Sequence, residues 1–241
     1  DIMTKLSLNQ NAKFVQKLSD TIETNFDFSN KPLNRLKIIK NNIHDNDQSK
    51  VERLLELKKR IDTIVNCNLK SNSKKLIMGD GNINSDIMMI GESPGSLETN
   101  SGLTFQGDVG ILLNKMLSAI DIKREKIYLA YSINFRPPDD RKPTSQEINR
   151  YSAFLKEHIS IIDPKILVLL GTTSMRSVTG LNSNISSERG QWKEIILKNK
   201  SYPFIVTFSP SYLIRYPNNK KYSWSDLKKI KQKIKDLEIK I

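Results

Sequence analysis

Cysteine is nearly absent from this chain. One thiol, Cys67, stands among 241 residues. A single thiol closes no intrachain disulfide, which excludes a stapled secreted scaffold. It also excludes a zinc finger or a self-contained cysteine-ligated iron–sulfur site, since each needs several ligands. Histidine is as scarce: only His44 and His158 occur, too few for a multi-histidine metal centre. No metal site is expected. No apolar run approaches the roughly 18 residues of a membrane span. The first residues show no apolar stretch of signal-peptide type. A reducing, intracellular setting fits these absences, and a cytoplasmic protein without a membrane partner is expected.

Positive charge is abundant: 39 Lys and Arg against 26 Asp and Glu give +13. Residues 1–100 hold 15 basic and 13 acidic side chains, and residues 101–241 hold 24 and 13. The excess therefore lies almost wholly in the second part. Such a field attracts polyanions, nucleic acid first among them. Lys outnumbers Arg by 29 to 10, and Asn and Ile are frequent. AT-rich coding bias alone produces that pattern, so charge needs support from motifs.

Residues 1–75 are polar and rich in Asn and Lys. Apolar side chains at helical spacing over 51–65 predict one amphipathic helix. Residues 42–50 read as a loop, and the first 45 as another helix or a partly ordered tail. From about residue 84, apolar runs at 86–90, 127–133, 165–170 and 203–208 read as buried strands. They alternate with helices over 105–120, 145–162, 173–179 and 224–239. That alternation implies an α/β fold with a parallel sheet of about four strands covered on both faces. The division expected is a polar, helical extension at 1–75 and one domain at 76–241.

In such sheets the loops after the strand ends carry function. Four stand out. Gly91-Glu92-Ser93-Pro94-Gly95 fixes a tight path after a strand, but does not match a nucleotide-hydrolysing phosphate loop. Residues 102–110 are glycine-rich and contain Phe105, which either offers a face for stacking a base or is simply core. Residues 134–143 hold three prolines with Arg136, Arg141 and Lys142, suited to phosphate contact or to solvent. Residues 208–217 combine small, apolar and cationic side chains. They suit either a DNA groove, with an apolar wedge and a phosphate-binding Arg, or a packed connection.

The order and spacing of these segments say more than any one of them. Gly91-Glu92-Ser93-Pro94-Gly95 is followed by Phe105-Gln106-Gly107, Arg136-Pro137-Pro138 and Leu169-Leu170-Gly171. Then come Arg189-Gly190-Gln191-Trp192 and Ser209-Pro210-Ser211-Tyr212-Leu213-Ile214-Arg215. The set closely resembles the uracil-DNA glycosylase superfamily over about residues 60–235, nearest its family 4. The resemblance implies a three-layer α/β/α sandwich and hydrolysis of the N-glycosidic bond of uracil in DNA after base flipping. It places Glu92 as the carboxylate that orients water or favours the cationic sugar. Phe105 would stack on uracil, and Gly91, Ser93, Pro94 and Gly95 would floor the pocket. Arg136, Arg141, Lys142, Ser211, Leu213 and Arg215 would meet DNA, with Leu213 and Arg215 on the loop that fills the space left by the flipped base.

Three departures accompany these matches. Family 4 carries a four-cysteine iron–sulfur cluster, whereas Cys67 matches one ligand and Ile64, Phe135 and Tyr151 occupy the other places. No cluster is expected, and bulky side chains should fill its volume. Ser209 replaces the histidine that stabilises the departing uracil anion, and a neutral hydroxyl should do so less well. Tyr131 replaces the asparagine that reads the base edge, and lacks its paired donor and acceptor. Asn134 lies nearby, three residues on, where strand alternation points it to the other face. Two functions follow as alternatives. One is a DNA-repair glycosylase without a cluster and with altered base specificity. The other is a weak or inactive glycosylase fold that binds DNA beside replication or repair proteins. A nucleotide- or RNA-processing enzyme is a third. The partner expected is uracil-containing or single-stranded DNA near the nucleoid, met by a monomer.

Overall fold

The computed structural model describes residues 49–73 and 75–240. The helix or tail expected in the first 45 residues, and most of the loop at 42–50, lie outside the described residues. Helix α1 (Lys50–Asp62) begins where the Ser49 hydroxyl accepts from the Glu52 amide and the Glu52 carboxylate accepts from the Ser49 amide. This reciprocal cap satisfies two otherwise orphaned donors. A short helix α2 (Asn68–Asn72) follows.

Strands β1 (Gly79–Gly81), β2 (Ile87–Gly91), β3 (Tyr128–Tyr131), β4 (Ile166–Leu170), β5 (Trp192–Leu197) and β6 (Lys200–Thr207) form one sheet in the order β1-β3-β2-β4-β6-β5. The four central strands run parallel. They are the four expected from the apolar runs. The edge strands β1 and β5 pair antiparallel with β3 and β6, and the apolar pattern did not announce them. Gly79-Asp80-Gly81 has no apolar side chain, and β5 alternates partly exposed with exposed residues.

Strand alternation sorts the core. Ile87 and Met89 of β2 lie in one cluster with α4 (Gly107–Ser118) and α9 (Lys220–Asp236). Met88 and Ile90 lie in another with α5 (Ser145–Ile162) and α6 (Thr172–Thr179). Short helices α3 (Ser96–Ser101), α7 (Ile185–Glu188) and α8 (Pro210–Arg215) sit within the connections. The result is the three-layer α/β/α arrangement. No helix among the described residues is long and apolar enough to cross a membrane.

A third cluster packs side chains from both sides of residue 75 against one another. Leu57 and Ile61 of α1 and Leu69 of α2 are buried with Ile133, Phe135, Tyr151 and Ile161. The apolar face of α1 finds its partner on α5, so the described part of the extension belongs to the same compact unit as residues 76–240. The four places matched to cluster ligands fall in or against this cluster. Cys67 Sγ lies 3.3 Å from the Tyr151 hydroxyl, Phe135 and Tyr151 are fully buried, and Ile64 packs against them. Burial pushes the Tyr151 hydroxyl well above its ordinary pKa, so it stays protonated. One thiol beside a neutral phenol, a phenyl ring and an alkyl chain does not fit an iron–sulfur cluster held by several thiolates. No group of three His, Cys, Asp or Glu side chains suited to a metal ion occurs among the described residues.

His158 is a core residue. It is buried in α5 with Nε2 2.9 Å from the Tyr128 hydroxyl. Burial lowers its pKa to about 4, while the unfolded chain protonates near the ordinary value of about 6.5. The unfolded state therefore binds more protons between those values, and stability falls as pH drops through that window. Between pH 7 and pH 5 the loss from this group is on the order of 2 kcal/mol. Urea titrations at the two pH values should show it, and His158→Gln should remove most of the difference. An unchanged difference in that variant would exclude His158 as the source.

Candidate active site

The parallel strands end on one side of the sheet, and their loops enclose a cavity of about 360 Å3. Glycine lets its walls close. A Cβ on Gly91 would lie 2.7 Å from Phe105 Cζ and 3.0 Å from Tyr131 Cδ1, so only a bare backbone lets both rings approach β2. Gly171 follows β4 at φ +101°, and a Cβ there would meet Ser209 Cβ at 3.3 Å. A side chain at Gly171 would both strain the backbone and press on Ser209.

Phe105 sits on this wall in an uncommon conformation, φ +46°, which costs energy unless its surroundings fix it. Several contacts fix it. Its amide donates to the Tyr131 hydroxyl at 2.8 Å, and the ring centroids lie 4.9 Å apart. Its carbonyl accepts from Arg124, which also bonds the Thr104 carbonyl. The Asp80 carboxylate holds the Thr104 amide and hydroxyl. The Glu98 carboxylate accepts from the amides of Gly95 (2.9 Å) and Gln106 (2.7 Å), tying the Gly91-to-Gly95 loop to the phenylalanine loop. Sequence reasoning missed Asp80, Glu98 and Arg124. The spacing Gly95-x-x-Glu98 at a helix start was a capping signal that pointed to Glu98. Nothing local pointed to Asp80, which sits on the unannounced edge strand.

Glu92 reaches the cavity from the turn after β2. Its Oε2 accepts a hydrogen bond from the Thr173 hydroxyl at the start of α6. Thr173 was another residue missed, because two distant loops bring the pair together. Ser209 lines the same cavity and caps α8. Its Oγ accepts from the Tyr212 amide at 3.3 Å and lies 3.1 Å from Ser211 Oγ. Its proton remains available to one acceptor at a time. Burial pushes the Tyr131 hydroxyl well above its ordinary pKa, so the phenol stays neutral at the cavity wall.

The structure brings together Gly91, Glu92, Ser93, Pro94, Gly95, Phe105, Tyr131, Lys142, Ser209, Ser211 and Arg215 around one cavity. Four expected residues lie elsewhere. Asn134 is buried and donates to the Ile77 carbonyl at 3.0 Å, off the cavity. Leu213 is 1% exposed in the core, because α8 turns Pro210 and Leu213 inward together; the exposed aliphatic side chain there is Ile214. Arg136 is held by Asp140 through two contacts of 2.7 Å. Arg141 is held by Glu147, the capping carboxylate of α5, at 2.7 and 2.9 Å. Those ion pairs fold the proline-rich loop onto itself and leave Lys142 at the cavity.

A second lobe of about 290 Å3 shares Glu92, Lys142, Ser209, Ser211 and Arg215 with the first, and adds Thr173, Arg176 and Tyr212. Of the three carboxylates that line the site, Glu98 is taken up by backbone amides and Asp140 by Arg136, so Glu92 stands with several hydroxyls inside a cationic rim. The site can hold a flat polar ring beside Phe105 and an anionic chain along the rim.

Comparison with known proteins agrees. The sequence model described as the uracil DNA glycosylase superfamily matches residues 78–231. A type-4 uracil-DNA glycosylase of Thermotoga maritima is 34% identical over 188 residues, covering 76% of this chain and 96% of the relative. Its counterpart in Sulfurisphaera tokodaii is 33% identical, covering 76% and 85%. That of Archaeoglobus fulgidus is 29% identical, covering 75% and 92%. The matched span contains the cavity loops from Gly91 to Arg215, and on these grounds the chain belongs to the uracil-DNA glycosylase superfamily.

Proposed function

We propose that this chain is a DNA-repair glycosylase that hydrolyses the bond between uracil, or a related deaminated base, and deoxyribose. The observation that carries the reading is the open cavity that sets Phe105, Glu92 and Ser209 around one space. A slot plugged by Tyr131 would favour a binding module without chemistry; Tyr131 lines the slot and leaves it open.

The bond is buried in a duplex, so the nucleotide swings out and its base enters the first lobe. Phe105 stacks on the base. As the bond breaks, the sugar gains positive charge and the base negative charge. Glu92, kept in orientation by Thr173, faces the sugar and directs a water to its anomeric carbon. That water's oxygen bonds the anomeric carbon and keeps one proton as the sugar's new hydroxyl, and its other proton passes, directly or through the medium, to the released base. The Ser209 hydroxyl donates to the base anion, which is weaker help than an imidazolium gives. Neutral Tyr131 offers one hydroxyl where relatives present an amide, so base discrimination rests more on shape. No iron–sulfur cluster takes part in this reading.

A labelled oligonucleotide with one uracil, followed by alkaline cleavage, tests it. Excision is expected, and Glu92→Gln should abolish it. Thr173→Val, which frees the carboxylate to rotate, should lower kcat about tenfold with little change in KM. Intact DNA binding with no excision at stoichiometric protein would overturn the reading in favour of a binding module. The cluster-free reading has its own check. Purified protein should contain no stoichiometric iron and no visible absorption band, and finding both would refute it.

A further inference from the structure

Three aromatic rings step outward from the second lobe. Phe208 stacks on Tyr212 with centroids 4.8 Å apart and planes 23° apart, and Tyr212 packs on Tyr216 at 4.8 Å and 40°. Tyr212 lies in α8, and Phe208 and Tyr216 flank the helix on either side. Phe208 is buried, Tyr212 half-buried, and Tyr216 54% exposed. Tyr212 lines the second lobe with Lys142, Arg176 and Arg215. None of these three cations pairs with a carboxylate among the described residues. Further along, Tyr222 is 45% exposed with the Lys221 ammonium 5.1 Å from its ring centroid. The Arg189 guanidinium lies 5.6 Å from the Phe208 ring and 5.3 Å from that of Tyr222.

Core packing would bury the last ring of such a row, and Tyr216 is open. A protein-docking patch is depleted of charge at its core, whereas here Lys142, Arg176 and Arg215 line the same lobe as Tyr212. Duplex DNA keeps its bases stacked on one another and shows a protein phosphates and base edges. An open ring beside unpaired cations instead matches an unstacked base and its phosphate. The row also leads directly out of the catalytic cavity.

We propose that the second lobe and the Tyr212–Tyr216 face form a single-strand subsite. The base next to the flipped nucleotide stacks on Tyr216, and the phosphate between them lies among Lys142, Arg176 and Arg215. This rests on the glycosylase reading and adds a preference for single-stranded substrate.

Fluorescence anisotropy of the full chain tests it, using labelled oligothymidylate and a uracil-free duplex of equal length. Wild-type protein should bind the single strand more tightly. Tyr216→Ala should weaken single-strand binding about tenfold, within the range for one stacked base. Duplex binding should change less than twofold. The salt slope should stay the same, since no phosphate contact is lost. Tyr216→Leu keeps apolar area without a ring and should behave as Tyr216→Ala, while Tyr216→Trp should restore binding. Wild-type behaviour of Tyr216→Leu would show an apolar docking patch and overturn the subsite. Equal losses on both DNAs, or none, would also overturn it while leaving the glycosylase reading intact. A wild-type protein that binds neither DNA would overturn both.

Discussion

Four parallel strands buried on both faces leave polar chemistry only one place to go, the ends of the strands. β2, β3, β4 and β6 carry apolar side chains up and down. Their last residues give way within one or two positions to Gly91, Ser132, Gly171 and Ser209. The hydroxyl of Ser132 bonds the Gly91 carbonyl, so even the first polar group beyond the core is spent on closing the sheet end. The cavity is what remains between loops obliged to leave the sheet at the same height.

The walls of that cavity are held by groups that do no chemistry. Asp80, Glu98 and Arg124 surround the phenylalanine loop, and Asp226 anchors the far side through Arg189 and Thr207. Asp226 is fully buried, and burial raises its pKa against the pull of those partners. A carboxylate is kept in such a position when it fixes geometry, because burial by itself opposes its charge. Here it joins α9 to β6 just before Ser209. The cationic Arg189 in turn rests against Phe208, which couples the buried ion pair to the aromatic row at the cavity mouth.

Much of this was legible from residue order. The central strands read as apolar runs because they are buried on both sides, and α1, α4, α5, α6 and α9 read from helical spacing. The edge strands did not, since Gly79-Asp80-Gly81 offers no pattern and β5 is half solvated. Glu92, Phe105 and Ser209 were recognisable by motif. Leu213 and Asn134 were misplaced because a motif fixes where a residue stands, not which way its side chain turns. Thr173 and Asp80 were invisible for a different reason. Their partners lie 81 and 24 residues away, and only the folded chain makes them neighbours.

The packing of Phe135 and Tyr151 against Cys67 has a consequence for assembly. A cluster-bearing wall is a two-component object: it waits on delivery of iron and sulfide, and oxidants can take it apart. A wall of hydrocarbon and one phenol is part of the core that α1, α2 and α5 share. On the cluster-free reading proposed above, this wall needs neither iron nor sulfide to form.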